Sequence, residues 1–384
     1  MTKVRFGDVV NESKVNINRE TDNHEFFVAG DHMDSENIHI DRRGRFEGSD
    51  VGPAFIRLFK PGQILYGSRR TYLKKVAVAD FEGITANTTF VFESSNEEVF
   101  LQSLLPFIML SDSFTDYSIK KSKGSTNPYV LFSDLKEYEF ILPDLNKQKS
   151  LSGMLWSIED TCRAYKKLRS ETDELIKSQF IEMFGGVQKR MRLDELCKHF
   201  GDGDWIESKD QADEGIRLIQ TGNVGNGEYK DKGDKARFIS EDTFTRLGCT
   251  EVFPGDILIS RLPDPIGRAC IVPEMPRSIT AVDCTIVRLK DCMLPSFFVN
   301  YTKTPAYTEQ INSFTTGSTR KRVSRANLGS ITVPVPDIDE QKRFVQLVEQ
   351  SERAKQALQQ SLKEARALQK KIVEDNFIVQ GKED

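Results

Sequence analysis

The stretch that decides the fold is ILPDLNKQKSL, residues 141–151, because it occurs a second time as VPVPDIDEQKRF, residues 333–344. A shift of 193 residues superimposes a proline, an aspartate and a glutamine of the two stretches: Pro143 on Pro336, Asp144 on Asp337 and Gln148 on Gln341. Self-similarity at one register is the signature of a repeated structural plan. The sequence therefore predicts two copies of one unit.

The same shift holds on both sides of these stretches. It superimposes a Gly-Ser-Thr triplet, two pairs of leucines and a pair of phenylalanines: residues 124–126 on 317–319, Leu135 on Leu328, Leu175 on Leu368 and Phe184 on Phe377. Further upstream, KPGQILYGSR at 60–69 resembles FPGDILISRL at 253–262. Agreement at so many spaced positions indicates a duplication, which predicts a molecule with pseudo-two-fold symmetry.

A long helix is predicted after each repeated stretch. Between residues 147 and 184 there is no proline and one glycine, and apolar or small residues recur at helical spacing: Leu151, Leu155, Ile158, Cys162, Tyr165, Thr172 and Leu175. The second copy keeps much of this stripe: Phe344, Val348, Ser351, Lys355, Leu358, Leu362, Ala365, Leu368 and Ile372. Such spacing predicts amphipathic helices, and at 1.5 Å per residue each would run about 50 Å.

Amphipathic helices of this length need a partner for the apolar stripe. The most direct partner for each helix is the other, and the similar lengths of the intervening segments favour an antiparallel pair, a coiled-coil spacer that closes the chain on itself. The alternative is two linker helices that pack separately, each on its own domain.

The regions before each helix combine strands and helices. Short β-rich runs such as VAVADF, TTFVFE, GDILIS and CTIVRL alternate with turn residues, and helical stretches at 97–111 and 294–314 occupy matching places. The predicted fold class is α+β, with two similar mixed α/β domains joined by two long helices. The expected boundaries are 1–146 and 187–339 for the domains, and 147–186 and 340–384 for the helices.

Composition and length are those of an ordinary globular protein, with 38% hydrophobic and 29% charged residues. The amino-terminal MTKVRFGDVV lacks the apolar core of a secretory signal, and no apolar run approaches the length of a membrane span. Six cysteines without a CxxC pair and four histidines offer no zinc-site spacing. We therefore expect reduced thiols, no metal site, no membrane contact and a cytoplasmic location.

The net charge of −4 argues at first against a nucleic-acid partner, because neutralising phosphates requires clustered Lys and Arg. The basic residues are, however, unevenly distributed. They gather at residues 69–75, 120–123 and 320–325, while acidic residues dominate elsewhere. An acidic chain with such clusters can still bind DNA locally.

The doubled Gly-Ser-Thr triplet, followed by a spaced leucine and a P-D-x-x-x-Q turn into a long helix, resembles the specificity subunit of Type I restriction-modification systems. Further blocks at 60–84 and 202–270 resemble target-recognition domains of that family. The resemblance covers nearly the whole chain. It implies a non-catalytic subunit whose two target-recognition domains each bind one half of a split, asymmetric sequence in double-stranded DNA.

The resemblance also implies partners. The long helices would set the gap between the two half-sites and dock two methyltransferase subunits, and restriction-translocase subunits would complete the restriction complex. S-adenosylmethionine, ATP and magnesium are then expected in those partners, and no cofactor is expected in this chain.

The candidate DNA-binding residues are basic, or carry amides and hydroxyls that can contact phosphates or base edges. In the first domain they are Arg69, Arg70, Tyr72, Lys74, Lys75, Lys120, Lys121, Lys123 and Thr126. In the second domain they are Gln220, Asn223, Arg261, Arg268, Thr319, Arg320, Lys321 and Arg322. Each charge has the alternative of a solvated surface residue, and each Gly-Ser-Thr triplet has the alternative of a simple turn.

The sequence bears on four other functions. A DNA methyltransferase would need a glycine-rich cofactor loop and an Asn/Asp-Pro-Pro-aromatic motif, and the nearest strings, residues 200–203 and 127–129, fit neither. The sequence contains no P-loop, which argues against ATP-driven translocation by this chain. A coiled-coil scaffold explains the helices but leaves the basic domains without a role. The specificity chain of a related Type IIB-like assembly stays open.

Overall fold

A computed structural model of the chain describes residues 2–18, 21, 24–317 and 321–379. The chain forms two compact units. The first unit contains residues 1–166 and 359–384, and the second contains residues 167–358. None of the helices in the described part combines the length and apolarity needed to cross a membrane.

The first unit contains ten strands and part of two long helices. The strands are β1 Thr2–Arg5, β2 Val10–Glu12, β3 Phe26–Val28, β4 Gly44–Arg45, β5 Phe55–Phe59, β6 Ile64–Gly67, β7 Val76–Val78, β8 Gly83–Ala86, β9 Thr89–Ser94 and β10 Glu139–Leu142. The helices are α1 Phe6–Val9, α2 Leu105–Leu110, α3 Asp112–Lys121, α4 Phe132–Leu135 and the start of α5 Leu145–Phe184.

The second unit has the corresponding strands; its helix Glu241–Leu247 has no helical counterpart in the described part of the first unit, and a 3-10 turn at Asp194–Leu196 stands where α1 does. Its strands are β11 Arg190–Arg192, β12 Cys197–Asp202, β13 Ile216–Ile219, β14 Arg237–Ile239, β15 Glu251–Val252, β16 Ile257–Ser260, β17 Ala269–Ile271, β18 Ser278–Thr280, β19 Cys284–Leu289 and β20 Thr332–Pro334. Its helices are α6 Glu241–Leu247, α7 Pro295–Tyr301, α8 Pro305–Phe314, α9 Arg325–Gly329 and the start of α10 Ile338–Phe377.

The sheets of the two units have the same topology. The first unit has sheets of order β2-β9-β6-β7 and β4-β3-β8-β5 and the pair β1-β10, and the second has β12-β19-β16-β17, β14-β13-β18-β15 and β11-β20. Among the named strands of the described residues, the pairings are antiparallel except β3 with β8 and β13 with β18, which are parallel at matching places. This correspondence confirms the predicted α+β class and the duplicated plan.

Each long helix has 40 residues and contributes to both units. In the first unit, Leu151 and Leu155 of α5 share the core with Val373 and Phe377 of α10. In the second unit, Phe180 and Phe184 of α5 share the core with Phe344 and Val348 of α10. Both helices thus pack together in each unit, as predicted, and not separately as in the alternative.

The two helices run antiparallel within the first unit, where a buried charge cluster joins them. Glu159 of α5 is 2% exposed and accepts two hydrogen bonds from the guanidinium of Arg366 on α10, one of them at 3.0 Å. The amide of Gln369 donates to Glu159 at 3.3 Å, and the His39 ring nitrogen Nε2 lies 3.4 Å from the same carboxylate. A buried carboxylate held by this many donors fixes the register of the pair.

The second unit joins the same two helices with different residues. Lys355 of α10 bridges Asp173 of α5 and Glu352, each at 2.6 Å. Aromatic packing surrounds the helix ends, with the Phe184 and Phe297 ring centroids 4.9 Å apart and those of Phe180 and Phe344 5.2 Å apart. Edge-to-face pairs of this kind add to the burial energy of each ring.

The predicted apolar stripe is wrong at one position in each helix. Leu175 and Leu368, which superimpose under the repeat shift, are 55% and 52% exposed, whereas the following residues, Ile176 and Gln369, are buried. The other stripe positions are buried or partly buried. A long straight helix drifts relative to a simple repeat of three and four, so the buried face moves by one residue.

The glutamine of the repeated stretch makes equivalent hydrogen bonds in the two copies. Gln148 is 1% exposed; its oxygen accepts from the backbone of Leu101 at 3.0 Å, and its amide donates to Val99 and Pro143 carbonyls at 2.9 Å. Gln341 makes the equivalent three bonds, to Leu294, Cys292 and Pro336, at 2.9–3.0 Å. The side chain ties the helix start to the loop before α2 or α7.

Candidate nucleic-acid interface

A short hairpin loop follows α3 in the first unit and α8 in the second. Lys123 and Tyr129 exchange two backbone hydrogen bonds of 2.8 and 2.9 Å, and Thr316 and Arg322 exchange two of 3.0 and 2.9 Å. These residues superimpose under the repeat shift. The first Gly-Ser-Thr triplet therefore lies inside a closed loop, which agrees with the turn interpretation, whereas Ser318 and Thr319 of the second lie outside the described residues. We call residues 123–129 and 316–322 the hairpin loops.

The segment that leaves β6 or β16 lies directly against the hairpin loop. Val130 donates its backbone N–H to Ser68 at 2.9 Å and Arg70 donates to Pro128 at 2.7 Å. In the second unit Val323 donates to Arg261 at 3.3 Å. We call residues 68–75 and 261–268 the strand-exit loops. The structure brings strand-exit loop and hairpin loop together into one surface in each unit.

The first strand-exit loop is a tight turn that exposes the side chains of Arg69 and Tyr72. Arg70 and Lys74 have left-handed backbone angles, φ 52° and 47°, on either side of a single 3-10 turn at Thr71–Leu73. Non-glycine residues adopt this region rarely, and such strain concentrates at functional sites. Between them Tyr72 is 53% exposed, and the Arg69 guanidinium lies 5.9 Å from the Tyr129 ring centroid.

Three lysines extend this surface toward the end of α3. Lys120, Lys121 and Lys123 are exposed, as is Thr126 in the hairpin loop. Lys123 forms an ion pair with Asp134 at 3.0 Å, and Lys121 lies 5.6 Å from the Tyr117 ring centroid. Exposed cations beside a hydroxyl and aromatic rings can contact phosphates and bases.

Two of the candidate lysines are engaged within the protein. Lys74 pairs with Asp112 at 2.7 Å and Glu36 at 3.1 Å. Burial lowers the pKa of Lys74, but these two carboxylates outweigh burial and raise it above its ordinary value. Lys75 donates to the carbonyl of Gly30. Their geometry indicates a role in holding the loop, and a direct DNA contact by either stays a prediction.

Arg268 is the counterpart of Lys75 under the repeat shift and is also engaged internally. The residue is 8% exposed, and its guanidinium donates to the carbonyls of Thr221, Val224, Leu262 and Pro265 at 2.7–2.9 Å. Burial lowers the pKa of this arginine. Arg268 fixes the second strand-exit loop to the turn after β13, so a contact with DNA would have to break this network.

Arg261 and Asn223 are also buried. Arg261 donates to the Val282 carbonyl at 2.7 Å and lies 3.5 Å from Asp202, while its Nε is buried without a partner among the described residues. The oxygen of Asn223 accepts from the backbone of Gln220 at 3.0 Å, which closes the turn after β13. In the first unit the backbone N–H of Ala29 donates to Nδ1 of His32 at 3.1 Å. Both side chains thus close a turn by accepting a backbone hydrogen bond.

Two further candidates lie in the second hairpin loop, and Gln220, which is partly buried, lies at the turn after β13. Lys321 and Arg322 are exposed, whereas Thr319 and Arg320 lie outside the described residues. Nearby, Arg325 has a side chain that is 52% exposed, 3.8 Å from Asp202. Arg325 belongs to the basic cluster seen in the sequence but was not singled out as a candidate.

Trp205, which is 71% exposed on the loop after β12, was not among the residues predicted from sequence. The signal was present, because an aromatic residue stands between polar ones in DGDWIES. Only exposure distinguishes such a ring from a core residue, and exposure requires the fold.

No metal centre emerges among the described residues, where no three His, Cys, Asp or Glu side chains form a suitable group. All six cysteines are free thiols, and five of them are buried. The surface offers cations, hydroxyls and aromatic rings, which are groups for binding.

Comparison with protein families decides the relationship. The model of the Type I restriction modification DNA specificity domain matches twice, at residues 15–171 and 188–365. The chain belongs to this family. The two matches coincide with the two copies of the sheet topology, so the specificity chain carries the family domain in duplicate. Comparison with curated proteins finds no significant match.

Solved structures share the fold of the specificity chain. A chain from a study of complex assembly and conformational transition of the type I R-M system is 20% identical, with a TM-score of 0.59 over 98% of this chain and 97% of that chain. The Type I restriction-modification S subunit from M. genitalium is 14% identical, with a TM-score of 0.50 over 99% and 96%. These likenesses confirm the fold of a Type I specificity subunit.

Proposed function

We propose that this chain gives a Type I restriction-modification complex its DNA sequence specificity, with each target-recognition domain binding one half of a bipartite, asymmetric site. The observation that carries the proposal is the paired surface of strand-exit loop and hairpin loop, which occurs once in each unit with different side chains. One fold that presents two different surfaces suits two different half-sites.

Within each surface the division of labour follows from burial. Side chains that are engaged internally, such as Arg268 and Lys75, hold the loops in place. Exposed side chains, such as Arg70, Tyr72 and Arg322, are available for phosphates and base edges. Rigid loops with free tips reduce the ordering cost of binding.

The long helices would set the gap between the half-sites and dock two methyltransferase subunits. Leu175 and Leu368 support the docking proposal, because they are exposed at equivalent positions of the two helices. Two equivalent apolar points suit two copies of one partner.

Catalysis would belong to the partners, namely the methyltransferase subunits and the restriction-translocase subunits. We propose that S-adenosylmethionine, ATP and magnesium bind there, and that the complex works in the cytoplasm, where it meets DNA. The division of roles would be simple: this chain selects the site, and the partners modify or cut it.

The test is to co-express the chain with its methyltransferase subunit and map methylated bases by single-molecule sequencing. We expect a split, asymmetric motif with one modified base in each half. A formed complex that methylates no defined motif would contradict the proposal, and the absence of any complex would favour a scaffold.

A further inference from the structure

Trp205 stands out as a large apolar ring that the fold leaves in solvent. Its exposure of 71% is high for tryptophan, a residue that proteins usually bury for the most part. Tryptophans presented in this way are enriched where a protein binds a partner. The exposed ring therefore indicates a binding surface.

The loop that carries Trp205 is held firmly. Gly203 donates its N–H to the Cys284 carbonyl at 2.9 Å, and Asp204 donates to the Thr280 carbonyl at 2.8 Å. The Asp204 carboxylate accepts from the backbone of Thr250 at 2.9 Å. A side chain at position 203 would meet the Thr280 carbonyl oxygen at 2.3 Å, so this close approach requires glycine. The ring is displayed by an anchored backbone.

The position of the loop connects the ring to the candidate DNA surface of the second unit. Asp202 lies 3.5 Å from Arg261 in the strand-exit loop and 3.8 Å from Arg325. Three residues of extended chain span at most about 10 Å, so Trp205 lies within that distance of Asp202. Arg325, the exposed cation of these two, and the ring thus both lie near Asp202.

We propose that Trp205 contacts DNA in the half-site bound by the second domain, with its ring packed on a base. This inference rests on the proposed function. Cations that hold the phosphates and a ring that meets a base are complementary parts of one DNA surface, and aromatic or apolar wedges of this kind act in known DNA complexes.

The first unit lacks this feature. The corresponding segment, β2 and the residues after it at 10–18, reads VNESKVNIN and contains no aromatic residue. The contact would therefore affect one half of the bipartite site and leave the other half unchanged.

The experiment compares Trp205→Ala with wild type in the complex with methyltransferase subunits, after methylation mapping has defined the two half-sites. Affinity for duplex DNA is measured with the full site and with either half scrambled. We expect the variant to bind the full site about 5- to 150-fold more weakly, the range of one base-aromatic contact. Once one particular half is scrambled, variant and wild type should bind equally.

Phe253→Ala is the matched control. Phe253 is 47% exposed in the same unit but precedes β16, whereas the strand-exit loop follows that strand, so its loss should leave affinity unchanged. Trp205→Phe should restore part of the affinity. Equal affinities of Trp205→Ala and Phe253→Ala, or a Trp205→Ala chain that no longer assembles with the methyltransferase, would overturn the inference. Failure of the wild-type complex to bind a bipartite site would instead overturn the proposed function.

Discussion

Gln341 shows how one side chain can hold a helix to its domain. Gln341→Leu removes three hydrogen bonds and leaves one backbone N–H and two carbonyls without this partner. A fully buried group left unpaired costs about 1–3 kcal/mol, and two of these three groups are only part-buried, so we expect the free energy of unfolding to fall by roughly 2–5 kcal/mol. Urea denaturation measures this, with Gln346→Leu, an exposed position on the same helix, as the control. Equal stability of both variants would contradict the account.

Glu159 links the stability of the first unit to pH. Burial raises the pKa of this carboxyl, but contacts from His39 and Arg366 outweigh burial and lower the pKa to about 2 from an ordinary 4.5. Because the folded pKa lies below the unfolded one, the stabilisation is complete above about pH 4.5 and is lost as the pH falls toward 2.

Glu159→Gln should therefore destabilise the chain most at neutral pH, by about 3–5 kcal/mol, because Arg366 loses its buried partner. The difference from wild type should shrink as the pH drops below about 4.5. Denaturation at a series of pH values measures it. Glu171→Gln, on the same helix with an exposed side chain, should show no such pH dependence, and a constant difference for Glu159→Gln would argue against the cluster.

Arg70 is the clearest candidate for a phosphate contact. Arg70→Gln should weaken duplex binding by the complex and reduce the slope of log affinity against log salt by about one, as expected when one phosphate contact is lost. Titrations at several salt concentrations measure the slope. Arg45→Gln, which removes an exposed arginine paired with Glu25, should leave the slope unchanged. An unchanged slope for Arg70→Gln would assign Arg70 to the solvated surface.

Sequence reasoning located the basic clusters but could not rank their members. Arg268 and Lys75 were both predicted from sequence to contact DNA. In the structure Lys75 donates to the Gly30 carbonyl and Arg268 donates to the Thr221 carbonyl, each on a turn that is distant in sequence. Those carbonyls are brought near by the fold, and no local pattern shows them. Trp205 was missed for the converse reason, because its exposure depends on strands far away in the sequence.

At the level of elements, the long helices were the most predictable feature. Their apolar spacing and the absence of proline predicted helices close to the observed Leu145–Phe184 and Ile338–Phe377. The facing residues were less predictable, because Leu175 and Leu368 lie just outside the buried stripe. A slip of one position exceeds what periodicity alone resolves over a helix of this length.

Shortening the helices tests whether they set the spacing of the half-sites. Deleting residues 163–169 together with 356–362 removes two helical turns from each helix and keeps nearly the same face toward the partner. The loss of about 10 Å should shorten the gap by about three base pairs while both half-sites stay the same. Methylation mapping of the variant measures the gap. Altered half-sites with an unchanged gap would refute the spacer role.

For the whole molecule, the repeat shift was the most informative observation. It predicted that one topology would occur twice, and the strand orders of the two units match throughout the described sheets. The order of strands within each sheet was beyond prediction, since the pairing of β2 with β9 or β12 with β19 joins segments far apart in sequence. Local signals cannot specify such long-range pairs.

The central claim is that each domain reads its own half-site independently. The most direct measurement is methylation mapping with a chain in which the second domain, residues 187–339, is replaced by a second copy of the first, residues 1–146. If the account is right, this complex methylates a symmetric motif in which one half of the wild-type site occurs twice in inverted orientation. An asymmetric motif, or the unchanged wild-type motif, would contradict it.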